Sequence, residues 1–141
     1  MENKLPIGSI LKEVSIVEDK EFNSDELCLD HIQLIFQAGV VILQPLVDTD
    51  EIEIISSSVP SSPDSTLINS PNWCSSLLGK KLQMAWVCEN HQGYQDQIIF
   101  AFEQLHPTIA FIAEGSVLKV FRYQQITHKQ ESDNSLKYSQ V

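Results

Sequence analysis

At 141 residues the chain fits one domain with a core of its own, and it needs no disulfide staples. Its hydrophobic content of 43% is that of a globular protein, and no apolar run approaches the ~20 residues of a membrane-spanning helix. The net charge of −10 repels nucleic-acid phosphate and anionic lipid, so neither nucleic acid nor a membrane is an expected partner.

That charge is unevenly placed. Residues 1–64 hold 13 acidic and 3 basic side chains, whereas residues 65–141 hold 6 of each. An acidic first half can attract a basic protein, and it can equally serve only to keep the chain soluble. The opening MENKLPIGS has no apolar signal segment. Cys28, Cys74 and Cys88 are odd in number and share no close-spaced motif, which points to a reducing, cytoplasmic compartment.

In chain order, Pro6 and Gly8 introduce a first strand over residues 10–18, with Ile10, Val14 and Ile16 on one face. Residues 19–29 form a charged connection in which Ser24 to Leu27 can open a helical turn. A second strand over 30–37 turns Ile32, Leu34 and Phe36 inward, and Ala38-Gly39 is a tight turn. The third strand, 40–47, is nearly all apolar, as in a strand covered on both faces. Its Pro45 cannot donate to a ladder and marks an edge or a bulge. The fourth strand, 51–56, alternates Ile52 and Ile54 with acids.

Residues 57–70, rich in Ser and Pro, read as a linker. Ser70-Pro71 has the form of a helix start with a serine cap, and Gly79 closes a short helix over 72–78. Residues 79–103 then read as a β-hairpin, the clearest core signal in the chain. Leu82, Met84, Trp86 and Cys88 are expected to point inward, opposite Ile98, Phe100 and Phe102, with a turn at Asn90-His91-Gln92-Gly93. Strands over 107–113 and 116–123 follow, and 127–141 is a polar tail without periodicity, expected to be disordered.

The fold class is therefore mainly β. About eight antiparallel strands and one or two short helices are expected in a curved sheet, sandwich or partly open barrel, since flat strands would expose too many edges. The domain is read as residues 6–126, with halves 8–56 and 71–123. A shift of 66 residues lays Asp30 on Asp96, Ile32 on Ile98, Leu34 on Phe100, Phe36 on Phe102, Ile52 on Leu118 and Ile54 on Val120. Gly8 falls on Gly79 after a five-residue gap. Period 2 alone aligns any two meanders in this way; a constant offset is what a true repeat adds.

Chemistry-bearing residues concentrate at the hairpin, where Trp86, Asn90, His91, Tyr94 and Asp96 are the candidate binding residues. A histidine beside a carboxylate can do acid–base work, but the same residues suit a turn for conformational reasons alone. No catalytic residue is assigned. His31, His91, His106 and His128 have no ligand spacing, so no metal site is expected. G-x-S-x-G, Walker and G-x-G-x-x-G motifs are absent, and no cofactor is expected.

The run Leu78-Gly79-Lys80-Lys81, followed by Trp86, Asn90, Gly93-Tyr94 and Asp96, resembles a family of small uncharacterised bacterial proteins described as a domain of unknown function. The likeness spans residues 8–123 and is specific over 78–102. It implies a bacterial, soluble, β-rich protein and no activity. Immunity and adaptor proteins of bacterial toxins share the size and acidity, but no motif ties the chain to them. Two functions stay open: a non-catalytic interaction protein whose acidic half meets a basic partner, and a small-molecule sensor or enzyme using the tip around His91. A homodimer is expected through the apolar third strand.

Overall fold

Alternating apolar residues build a sheet almost without helix. The computed structural model describes residues 5–18, 27–46, 48–58, 68–69, 71–125 and 136–140. The helical turn expected at 24–27 falls mostly outside them, as does most of the linker over 57–70. The strands are β1 (Leu11–Glu18), β2 (Cys28–Phe36), β3 (Val40–Leu46), β4 (Glu51–Ser57), β5 (Ile68–Asn69), β6 (Leu82–Glu89), β7 (Gln95–Phe102), β8 (Ile109–Glu114), β9 (Val117–Gln125) and β10 (Leu136–Gln140). All their pairings are antiparallel, and the order β4-β3-β2-β9-β8-β7-β6 curves into a partly open half-barrel.

Eight of these strands were legible from alternation; two were not. β5 is only two residues long and pairs with β1 through Ser15–Asn69 and Ile16–Ile68. β10 lies in the tail expected to be disordered. β9 runs on past its last pair with β2 at Lys119, and there, on the edge opposite β8, Phe121–Gln125 pairs with Leu136–Gln140. The short helix is a 3-10 helix, Asn72–Leu77, capped by Pro71 without a side-chain hydrogen bond, in place of the expected serine cap. Its buried residues, Cys74 and Leu77, hold it on the sheet. β3 is flanked by both β2 and β4, so it is not the exposed edge on which self-association was expected. Pro45 lies past the last β2–β3 pair, Ile32–Leu43, where its missing donor leaves no gap in that ladder.

Bulges overturn part of the expected facing. Between Leu82 and Met84 the β6–β7 register slips by one residue. Antiparallel partners share a face, so Leu82 points inward opposite Phe102, and after the slip Ala85 and Val87 face inward opposite Phe100 and Ile98. Met84, Trp86 and Cys88 therefore turn outward, against the expectation that they face the core. β1 does the same. Its register slips between Leu11 and Glu13, and Leu11, Val14 and Ile16 line the interior.

The two meanders, β1–β4 and β6–β9, share one pairing scheme. Adding 71 to the β1 number and 66 to the β2 number converts each of the seven β1–β2 pairs into a β6–β7 pair. Both bulges are preserved: Lys12 and Gln83 are skipped at one end, Asp30 and Asp96 at the other. The halves meet at the bridge Ile10–Lys81, which joins equivalent residues. Around it the amides of Gly8 and Gly79 donate to Leu82 and Leu11 at 2.7 and 2.8 Å. The amides of Leu11 and Leu82 donate to Lys80 and Ser9 at 3.0 and 2.9 Å. Each bond maps onto its counterpart when the halves are exchanged, so an approximate two-fold axis passes through this seam. Gly8 and Gly79 both sit at positive φ, 91° and 83°, a conformation open to residues without Cβ. In the core the equivalent rings of Phe36 and Phe102 stack with centroids 6.3 Å apart and planes 6° from parallel. Phe100 packs on Phe102 and Phe111, both at 6.1 Å.

Candidate functional site

β6 and β7 carry the hairpin tip out from the sheet, and one side chain holds its shape. The Asn90 Oδ1 accepts the amides of Gln92 at 2.8 Å and Tyr94 at 3.2 Å. Asn90 also closes the loop through its main chain, donating to the Tyr94 carbonyl at 2.8 Å and accepting from the Gly93 amide at 2.9 Å. Gly93 makes the turn at φ 88°. Asp96 sits at the bulge and accepts the Asn90 side-chain amide at 3.4 Å. The loop is an Asx-type turn, formed because a short amide side chain reaches the backbone two residues on.

Of the candidate residues, Asn90, Tyr94 and Asp96 are joined by the hydrogen bonds of the loop. His91 and Tyr94 are exposed, Asn90 and Asp96 are half-buried, and Trp86 lies on the outer face of β6 with 37% of its surface accessible. Nearby Cys88 is half-buried, and its thiol pKa is pushed up by burial and then by the Asp96 carboxylate. Such a thiol is a poor nucleophile near neutral pH. No group of three or more potential metal ligands occurs among the described residues.

Three clefts lie elsewhere. One of about 380 Å³ runs between Leu5-Pro6, the Ala38-Gly39 turn and Ser56 to Ser58. One of about 180 Å³ lies beside Trp73, Ile109 and Tyr123, and a polar one of about 190 Å³ lies beside Lys80, Glu103 and His106. None of the three is lined by a tip residue.

What the tip region does present is apolar surface. Met84, Trp86, Val87 and Tyr94 are all exposed. Val87 was not singled out from the sequence. Its signal was the unbroken run Met84-Ala85-Trp86-Val87-Cys88, in which both strand phases are apolar. Strict alternation assigns one phase to water and overlooks it.

Fold and tip together define a small acidic β-protein, with a braced hairpin and exposed apolar side chains on one strand. The chain belongs to a family of unknown function, DUF6334, whose model matches residues 1–127. No curated protein and no solved structure matches it. Among the described residues no helix is long and apolar enough to cross a membrane.

Proposed function

We propose that this is a non-catalytic binding protein whose acidic first half meets a basic protein partner in the cytoplasm. The observation that carries this reading is the charge layout: 13 acidic against 3 basic side chains in residues 1–64, and balance thereafter. Asp48, Asp50, Glu51 and Glu53 continue that charge onto β4, an end strand of the main sheet order, where none of the four is fully buried. A strand edge fringed by carboxylates favours a partner rich in Lys and Arg and repels phosphate. The cytoplasmic assignment is supported by cysteines on three separate elements, β2, the 3-10 helix and β6, all of them free thiols.

The test is affinity capture with the full chain and with a variant carrying Asp48→Asn, Asp50→Asn, Glu51→Gln and Glu53→Gln. The expected result is a basic protein captured by the native chain in a salt-sensitive manner and lost with the variant. Capture that survives neutralisation, or a captured partner of acidic composition, defeats the reading. The second function, a small-molecule site at His91, gains no support from the three clefts, all of which lie away from the tip.

A further inference from the structure

The two-fold relation gives each strand of the first meander a counterpart in the second, and at the outer edges of β1 and β6 the counterparts differ. The free side of β1 is covered by β5, which pairs with Ser15 and Ile16. Under the shift that relates the strands, those positions become Trp86 and Val87 of β6. Beyond the seam at Lys81 and Leu82, no described strand but β7 pairs with β6. The consequence shows in the burial. Ile16 is fully enclosed, at 0%, whereas its counterpart Val87 is 39% exposed although it faces the inner side of the sheet.

We propose that this β6 edge is the interface of a homodimer, in which β6 of a second copy pairs antiparallel with it, centred on Trp86. An edge strand offers a row of unpaired amides and carbonyls to any added strand, and a two-fold axis lets one edge satisfy itself. The register leaves the seam intact, because pairing starts at Gln83, beyond Leu82. It sets Met84 against the partner's Cys88, Ala85 against the partner's Val87, and Trp86 against the partner's Trp86. The exposed apolar residues of β6 are thereby covered together.

Charge selects the occupant. Two chains of net charge −10 repel each other, least of all where the balanced half is presented. β6 belongs to that half, and its ends carry opposite signs, Lys80 and Lys81 at one and Glu89 at the other. An antiparallel copy brings Glu89 towards the partner's Lys81 at each end of the interface. A basic peptide finds no such complement here, and an acidic one would have to pass Glu89 as well.

Sedimentation equilibrium of the native chain, from about 1 to 100 μM, the range of a moderate dimer, is expected to reach twice the chain mass of 15.9 kDa. Trp86→Lys and Val87→Lys each shift the midpoint by tenfold or more, with circular dichroism unchanged. Leu105→Lys, at a 67% exposed site in the β7–β8 connection, keeps the native midpoint. Hydrogen exchange on the unmodified chain gives a reading free of any folding defect: main-chain protection over residues 83–89 falls on dilution, while that of β8 does not. A native monomer across the range overturns the proposal. So does a dimer indifferent to both β6 variants, or protection in β6 that does not depend on concentration.

Discussion

Trp86 separates two kinds of strand residue. Because it faces outward and is part-exposed, Trp86→Ala should cost the monomer under about 1 kcal/mol. Phe100, buried between Phe102 and Phe111, should cost about 3–5 kcal/mol on the same change. Urea denaturation below the dimerisation range checks both, and a Trp86→Ala loss as large as that of Phe100→Ala would contradict the outward facing. At the tip, Asn90→Ala removes an acceptor from two exposed amides and should cost about 0.5–1.5 kcal/mol. Gly93→Val forces a β-branched residue to positive φ and should cost on the order of 1–3 kcal/mol. His91→Ala should leave stability unchanged.

His31 supplies a pH dependence at the same scale. Its Nε2 is buried without a hydrogen-bond partner, and burial lowers its pKa below the usual 6.5. The folded chain therefore resists a proton that the unfolded chain accepts from about pH 6.5 downward. Stability should fall as pH drops through 6.5 and level off below the folded pKa, and His31→Gln should remove that part of the decline. Thermal unfolding of both chains between pH 5 and 8, about the interval in which histidine titrates, measures it. Among the thiols, Cys74 is pushed up to about 11 by burial and is itself enclosed. Iodoacetamide at neutral pH should label the more accessible Cys88 well before Cys74, with mass spectrometry as the readout.

At the scale of elements, alternation in the sequence located eight strands and failed where the backbone breaks period. Ile32, Leu34, Phe36, Ile98, Phe100 and Phe102 all lie in the core as the pattern requires. Met84 and Trp86 do not, because a bulge inserts one residue and reverses every side chain after it. Nothing in the composition of Leu82 to Trp86 announces that insertion. The aspartates Asp30 and Asp96, aligned by the constant shift, are the extra residues of two equivalent bulges. The tip was legible as a turn, but which side chain braces it was not. Asn90 and Asp96 are both competent acceptors, and it is Asn90 that reaches the amides. The glycines of the seam offer a matched test. Gly8→Ala and Gly79→Ala each place a Cβ at positive φ in equivalent surroundings with open space around it. Each should cost about 1 kcal/mol, by similar amounts, in chemical denaturation.

For the whole molecule, the charge asymmetry was readable from residue types alone. The closing of the two meanders on one another was not, since it rests on main-chain bonds between residues 68 to 74 apart. That separation has a consequence in time. Hairpins within each meander close short loops and can form as the chain emerges, whereas the Ile10–Lys81 seam and the β2–β9 pairs wait until most of the chain has been made. During synthesis the first meander is therefore a half-built object: its inner row of Ile32, Leu34 and Phe36 faces water for as long as the ribosome takes to supply Ile98, Phe100 and Phe102. Nascent chains arrested before β6 should draw chaperones and be cut readily by protease, and resistance should appear abruptly once β9 clears the exit tunnel.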